Sequence, residues 1–306
     1  MPEEIKVIED RAKSFYERLE EEGAPHVTTL TGLLDKSTPL MYWAAGLSFD
    51  YVKDLFLDPL RVAVHKKNED EIFRIINQFY DQEIEHHYKR AKSYHREKSK
   101  EAKDIGTYVH EAAEAIFRAM LENSPLEIPI DEDIEKPVKA LLKWIADNNV
   151  TPVLIEKKVG AVLMASDFGP EGTPEISFIG RLDLKAYVNE KLTIIDHKAA
   201  KGIYNDAPLQ VAAYDYAHNF MIENGLLEGQ PSEASAILRL DKETGMPEYV
   251  EYSRDQTDDN FNSFSLLCGF WHMDKQRKEN ERFRKQEQRE REKEEKKKPK
   301  KTEDPY

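Results

Sequence analysis

The chain has 306 residues, and its 45 Lys and Arg against 59 Asp and Glu give a formal net charge of −14. Hydrophobic residues make up 40% of the chain, enough to build a core, which excludes a chain that is disordered throughout. No apolar run approaches the roughly 18 residues of a transmembrane helix, and the charged N-terminus does not resemble a signal peptide. We therefore expect a cytoplasmic protein without a membrane partner. The acidic balance argues against a protein that coats DNA through bulk charge, but not against a DNA enzyme.

Helical patterns fill the first half of the chain. Gly23 closes a charged amphipathic stretch, and Ser37 with Pro39 is typical of a helix start. Other segments repeat apolar residues at helical spacing. The predicted helices cover residues 4–21, a segment that starts at Ser37, and residues 69–103, 104–121 and 136–149.

Strand patterns dominate the second half, with one helix predicted at residues 206–224. The predicted strands cover residues 153–165, 176–188, 192–197, 235–241 and 247–253. This order predicts an α/β or α+β fold, in which a mixed central sheet is flanked by helices. We divide the chain into a helical part at residues 1–103, a core at 104–271 and a charged tail at 272–306.

The tail differs from the body in its charge. Residues 1–271 have a net charge of −18, whereas residues 272–306 have a net charge of +4 and almost no apolar side chains. The pattern predicts a solvated helix that frays after Pro299. Three functions stay open for it: a solubilising extension, an arm that touches phosphates through residues 296–301, or a partner-binding helix.

A predicted β-hairpin brings two acidic residues together. If strands 176–188 and 192–197 are joined by a two-residue turn at Asn189–Glu190, Asp183 lies opposite Asp196, and Arg181 lies opposite Lys198. We expect the other face of the hairpin to pack on the core. That face carries Leu182, Leu184, Val188 and Ile195.

Two carboxylates on one face repel each other unless a cation joins them. Oxygen ligands of this kind select Mg²⁺ or Mn²⁺, and a neighbouring lysine can hold a water or stabilise charge on a phosphate. The alternative is an exposed strand face on which Lys198 neutralises two surface aspartates.

Two further patterns bear on this choice. Gln210 and Tyr214 lie four residues apart on the predicted helix that follows the hairpin, so they share one face. His110 lies on an earlier predicted helix, with Glu114 four residues later. The pair Gln210 and Tyr214 alone is also typical of an ordinary helix surface, and a lone helical histidine is usually structural.

Taken in order, these segments resemble the RecB-like branch of the PD-(D/E)XK nucleases. The motifs are GRLDLKAYV, TIIDHKAAKG and LQVAAYDYA, with Gly106 and His110 matching an upstream G-x-x-x-H helix. The likeness reaches upstream through VTTLTGLL and MYWAAGLS, and covers roughly residues 25–220. It is greatest to stand-alone phage and bacterial exonucleases of that branch.

The resemblance assigns the metal ligands. It implies that Asp183 and Asp196 bind metal through their carboxylates and His197 through its backbone carbonyl. His110 would bind a second metal or its water. Glu156 matches a frequently acidic position and is a further candidate ligand, with an ordinary surface glutamate as the alternative.

The resemblance also assigns the remaining site residues. Lys198 would position the attacking water and balance charge, with Gln210 and Tyr214 supporting it. Arg181, Gln210 and Tyr214 are the expected DNA contacts. Some members of the family carry an iron–sulfur cluster on four cysteines, but Cys268 is alone here, so we expect no such cluster. The chain also lacks a phosphate-binding loop, so no helicase motor is expected.

The sequence thus predicts a Mg²⁺- or Mn²⁺-dependent deoxyribonuclease, an exonuclease acting in DNA recombination, repair or phage DNA metabolism. It would work in the cytoplasm of a bacterial or phage-infected cell. Two alternatives stay open: an endonuclease of the same fold, and an inactive nuclease-fold protein that binds DNA or acts as an adaptor. DNA is the expected partner. A recombination or single-strand-binding protein as second partner, the oligomeric state and the cleavage polarity stay open.

Overall fold

The computed structural model describes residues 3–34, 37–81, 84–126, 132–163 and 175–297. Its N-terminal half is helical, as the apolar spacing predicts. The helices before the first strand are α1 (Glu3–Glu21), α2 (Val27–Thr31), α3 (Ser37–Val52), a π-helix (Lys53–Leu57), α4 (Asp58–His65), α5 (Glu69–Asp81), α6 (Ile84–Glu122) and α7 (Glu132–Asp147).

Five strands and two further helices complete the described chain. They are β1 (Thr151–Leu163), β2 (Ile176–Val188), β3 (Lys191–Lys198), α8 (Asp206–Glu223), β4 (Ala234–Leu240), β5 (Pro247–Tyr252) and α9 (Arg254–Lys297). The strands form one sheet in the order β1-β2-β3-β4-β5. β3 and β4 are parallel and α8 connects them, whereas the other neighbours are antiparallel. The predicted mixed α/β architecture is confirmed.

The sheet separates two apolar cores. On one face, a core formed by strand residues and α8 extends to α2 and α9. On the other face, residues of α6 and α7 pack against β2, β3 and β4. The sheet is therefore covered by helices on both faces, which explains why β3 is buried along nearly its whole length.

Helix α6 differs from the prediction. The sequence pattern predicts helices at 69–103 and 104–121, but the structure has α5 at Glu69–Asp81 and one helix from Ile84 to Glu122. The predicted boundary between residues 103 and 104 falls inside this helix. The charged residues 97–104 still have high helix propensity, so a loss of apolar periodicity there marks a solvated face and not a break.

Helix α9 includes most of the predicted tail. It continues from Arg254 to Lys297, and its side chains at residues 276–293 are exposed. The predicted fraying after Pro299 lies outside the described residues. None of the helices in the described ranges is long and apolar enough to cross a bilayer.

Candidate active site

The hairpin of β2 and β3 has the predicted register. Val188 pairs with Lys191, and the pairing continues to Leu184 opposite Ile195. The turn residues Asn189 and Glu190 have φ values of 47° and 71°. Positive φ at both central residues is what a two-residue turn needs to match the strand twist. Asp183 and Asp196 come next along the two strands.

The pairing of β2 with β3 ends at Leu184 and Ile195, so the predicted pairs Asp183–Asp196 and Arg181–Lys198 are not part of it. Asp183 Oδ2 accepts a hydrogen bond from the backbone N–H of His197 at 2.8 Å. Leu182 packs in the core under α8, whereas Leu184 packs in the core under α6 and α7. Residues two apart on a regular strand share a face, so β2 changes faces between them. The prediction that Leu182 shares one core face with Leu184, Val188 and Ile195 is therefore wrong.

Glu156 explains why the faces change. It lies on β1, and the pairs Ile155–Leu184 and Lys157–Leu182 flank it and Asp183. Its φ is +50°, a left-handed conformation that costs a non-glycine residue about 1–2 kcal/mol. This local irregularity turns the carboxylates of Glu156 and Asp183 toward α6. Strained backbone of this kind often accompanies a functional site.

Three side chains from three elements form a possible metal centre there. His110 of α6, Glu156 and Asp183 each offer one ligand atom, and these atoms all lie within 4.8 Å of one another. His110 Nδ1 is 3.5 Å from Asp183 Oδ2. All three side chains are partly buried. An imidazole with two carboxylates suits Mn²⁺, and the carboxylates suit Mg²⁺, so this donor set fits the predicted ions.

The charges in this group favour a cation. Burial, and then the charge of Asp183, raise the pKa of Glu156 to about 6. Arg181 opposes that rise through an ion pair of 2.9 Å with Glu156. The ionised carboxylates therefore remain under-compensated, and a bound cation would relieve their repulsion.

Asp196 lies outside this ligand group and belongs to a second cluster. Its Oδ2 is 2.7 Å from Lys198 Nζ, and its Oδ1 accepts a hydrogen bond from Gln210 Nε2 at 3.1 Å. Burial, the largest cause, and the nearby Asp183 raise the pKa of Asp196, and Lys198 opposes them. Whether Asp196 also binds metal, as predicted, stays a prediction.

Lys198 is held as a cation. Burial works to lower its pKa, but the ion pair with Asp196 outweighs burial, and the pKa is raised. Its Nζ also donates a hydrogen bond to Gln210 Oε1 at 3.1 Å. The side chain of Lys198 is 26% exposed, so it is partly accessible to solvent.

Gln210 organises this second cluster. Its amide oxygen accepts from Lys198, and its amide nitrogen donates to Asp196 and to the Tyr214 hydroxyl at 3.0 Å. An ammonium group can only donate and a carboxylate only accept, so these partners fix which way the amide points. The predicted partnership of Lys198, Gln210 and Tyr214 is thus present.

Tyr214 owes its place to Gly180. A Cβ built on Gly180 would lie 2.6 Å from Tyr214 Cε1 and 3.1 Å from Val27 Cγ2. The glycine of the GRLD segment therefore lets the ring lie against β2. Burial raises the pKa of Tyr214 well above its usual value, so its hydroxyl stays neutral. The buried Tyr214 ring holds Gln210, and Gln210 in turn holds Lys198.

His197 faces away from the lysine. Its ring stacks on Phe117 of α6 with the centroids 5.5 Å apart, on the side of the sheet opposite to α8. Burial lowers its pKa to about 3, so the ring is neutral. Its Nδ1 lies 3.7 Å from Asp183 Oδ2. The backbone carbonyl of His197 as a metal ligand stays a prediction.

Some of these relationships carry weak signals or none in the sequence. Glu156 has no motif that separates it from a surface glutamate, and Arg181 gives no sign that it pairs with Glu156. The stacking of Phe117 under His197 is equally hidden, because an apolar helical residue predicts only a core position. Arg181 is exposed and stays a candidate DNA contact.

Comparisons with known proteins add little to this geometry. No protein-family model matches the chain, and no curated protein matches it. A solved structure described as “Crystal structure of SSO0001” is 12% identical, with a TM-score of 0.27. The match covers 43% of this chain and 57% of that one. A likeness of this size carries no argument about fold or function.

Proposed function

We propose that the protein is a metal-dependent phosphodiesterase that cleaves DNA, a nuclease of the RecB-like PD-(D/E)XK type. One observation carries the proposal. The ligand atoms of His110, Glu156 and Asp183 converge within 4.8 Å, and the ion pair of Asp196 with Lys198 lies on the adjoining strand. Phosphodiester hydrolysis needs metal ligands that lie beside a fixed positive charge, here the ammonium group of Lys198.

The residues that would hold Mg²⁺ or Mn²⁺ are His110, Glu156 and Asp183, with Asp196 as a further ligand if its carboxylate turns from Lys198. The bound ion would supply Lewis-acid stabilisation of the phosphate and a lowered pKa for an attacking water. Asp196 Oδ2 is buried and lies 2.7 Å from Lys198 Nζ, so it would have to exchange this ion pair for a metal bond to act as a ligand.

Lys198 supplies a second positive charge. Because its pKa is raised, it stays protonated at neutral pH. Its ammonium group can donate to a water or to a phosphate oxygen while Asp196 and Gln210 fix its direction. A cation that is already in place before reaction costs no reorganisation as charge develops on the phosphate. Gln210 and Tyr214 are positioning residues in this scheme, since they act through Lys198.

Two observations support DNA as the substrate. The segments GRLD, DHK and Q-x-x-x-Y occur in the order and spacing of the family that the sequence resembles. Exposed Arg181 borders the ligand group and can meet a phosphate of the backbone. The exonuclease mode, and a role in recombination, repair or phage DNA metabolism, are proposed on the resemblance alone.

The test is a time course on DNA labelled at both ends. Linear duplex, single-stranded and closed circular DNA are incubated with Mg²⁺, Mn²⁺ or EDTA. The variants are Lys198→Ala and, as a matched control, Lys201→Ala. Lys201 lies three residues after Lys198 in the sequence, is exposed and pairs with Glu243. We expect loss of the linear forms alone, dependent on metal and on Lys198 but not on Lys201.

Each other outcome revises the proposal. Cutting of the circle identifies an endonuclease of the same fold. Metal-independent cleavage, or cleavage that Lys198→Ala leaves intact, overturns the assigned site. Absence of cleavage together with DNA binding would instead identify a DNA-binding or adaptor protein.

A further inference from the structure

Helix α6 joins the candidate metal ligand His110 to a strongly basic segment. Between Lys89 and Lys103 the sequence has seven Lys or Arg and two Glu. Because α6 is a single helix, the direction of each of these side chains relative to His110 follows from helical geometry. This segment stands out in a chain whose net charge is −14.

The basic side chains are sorted by face. At 3.6 residues per turn, Lys92, Lys103 and Arg96 lie within about 40° of the direction of His110. Glu97 and Glu101 lie about 140° and 180° away from that direction. We call Lys92, Arg96 and Lys103 the basic stripe. The stripe carries one sign of charge and ends at the candidate metal centre.

Helix α3 covers the opposite face of α6. Ser48 Oγ donates to the backbone carbonyl of Ala91 at 2.9 Å, and Tyr51 packs on Tyr94 with ring centroids 5.3 Å apart. Arg90 also belongs to this covered side, because its guanidinium lies over the Tyr51 ring. The packing therefore orients α6 so that the stripe faces solvent.

Lys92, Arg96 and Lys103 are all exposed. Within the described ranges, no ion pair engages Lys92, Arg96 or Lys103, whereas Lys98 on another face pairs with Glu101 at 2.7 Å. Unneutralised cations in one row repel one another, and an extended polyanion would relieve that repulsion.

The length of the stripe suits a nucleic-acid strand. Lys92 and His110 are 18 residues apart, which is about 27 Å along a helix. A strand in B-form spans that distance in about eight nucleotides, at roughly 3.4 Å for each phosphate. Three cations along it can meet three of these phosphates without reading the bases.

We propose that the basic stripe binds the phosphate backbone of the DNA strand that enters the candidate metal centre. The proposal rests on the proposed function for one point, namely that the bound strand runs along the basic stripe toward His110. The binding itself depends only on the charge and the exposure of the stripe. It assigns a substrate contact some 10–27 Å from the reacting phosphate.

The test compares two triple variants with the same change in charge. The stripe variant carries Lys92→Gln, Arg96→Gln and Lys103→Gln. The control variant carries Lys13→Gln, Lys139→Gln and Lys143→Gln, which removes three exposed helical lysines that pair with acidic residues four positions away. Fluorescence anisotropy with labelled single-stranded and duplex 20-mers, in EDTA and over a salt series, gives Kd and its salt dependence.

We expect the stripe variant to lose at least about tenfold in affinity at low salt. The slope of log Kd against log salt should fall by about two to three, close to one for each cation. A loss for either strand form that the control does not share supports the stripe. Equal losses in both variants, or none in either, overturn it.

Two further measurements keep the outcomes distinct. The charge-preserving variant Lys92→Arg, Arg96→Lys, Lys103→Arg should keep its affinity within about threefold, because phosphate contacts of this kind depend on charge. Loss of affinity there overturns the proposal.

Hydrolysis of bis(4-nitrophenyl) phosphate by the unsubstituted protein with Mn²⁺ tests the metal centre alone, because that small diester is too short to reach the stripe. Failure of this reaction counts against the proposed function, not against the stripe.

Discussion

The phenol ring of Tyr214 lies directly against Gly180, so closely that a Cβ on Gly180 would be 2.6 Å from Tyr214 Cε1. This contact links strand β2, which carries Asp183, to helix α8, which carries Gln210. Through the hydrogen bond between Tyr214 and Gln210, the absence of one side chain on β2 helps to set the direction of Lys198.

Gly180→Ala should therefore damage the site through its support. The added methyl group meets the ring and Val27, and overpacking of this kind typically costs 1–3 kcal/mol of unfolding free energy. We expect a lower Tm and weaker nuclease activity. Gly202→Ala is the control, since a Cβ there meets nothing within 4 Å. Equal thermal stability of Gly180→Ala and the unsubstituted protein would contradict the packing argument.

Gln210→Met tests the amide that joins three partners. Methionine has a similar volume, but it leaves Asp196 Oδ1 and Lys198 each short of one hydrogen bond. A buried group without its partner costs about 1–3 kcal/mol. Loss of this support should lower kcat by about 10–100-fold, the range found for outer groups of metal sites, with less effect on KM.

The control for this variant is Gln286→Met, an exposed glutamine on α9 that is far along the chain from the site. Steady-state kinetics with a short DNA substrate separates kcat from KM. A change in KM alone would place Gln210 in substrate binding and not in the support of Lys198.

Much of this site was predictable because strand period and turn geometry are local. The turn at Asn189–Glu190 needs residues that tolerate positive φ, and it fixes the register up to Leu184 and Ile195. The partnership of Lys198 with Gln210 follows from that register and from the start of α8.

The exchange of faces at Asp183 was not predictable from the same rules. It depends on the left-handed conformation of Glu156 on the neighbouring strand, and glutamate gives no local signal for that conformation. The continuity of α6 was missed for a different reason. Apolar periodicity reports burial, and a helix that leaves the core loses that signal while it keeps its backbone hydrogen bonds.

Glu156→Gln should stabilise the metal-free protein at neutral pH. The fold raises the pKa of Glu156 from 4.5 to about 6, so the folded state disfavours the ionised form. The folded state then binds more protons than the unfolded chain between pH 4.5 and 6, and the unfolding free energy falls as pH rises through that window. Glutamine stays neutral, so the unfolding free energy of the variant does not fall in this way.

The shift of about 1.5 pKa units corresponds to at most about 2 kcal/mol. Urea unfolding in EDTA at pH 4 and pH 7.5 measures it. We expect the unfolding free energy of the variant, relative to that of the unsubstituted protein, to be about 1–2 kcal/mol higher at pH 7.5 than at pH 4. If the difference in unfolding free energy between the two proteins does not change with pH, the fold does not raise the pKa of Glu156.

Metal binding should reverse that order of stability. An ion that binds only the folded state stabilises it by about 2.7 kcal/mol at a hundred times its Kd, so Mn²⁺ should raise the Tm of the unsubstituted protein. His110→Ala and Asp183→Asn each remove one member of the ligand group, so their Tm values should respond much less to Mn²⁺. The control is His65→Ala, an exposed histidine at the end of α4. If His110→Ala responds to Mn²⁺ as fully as His65→Ala does, the ion binds elsewhere, and the convergence of His110, Glu156 and Asp183 is an acidic cluster that Arg181 neutralises.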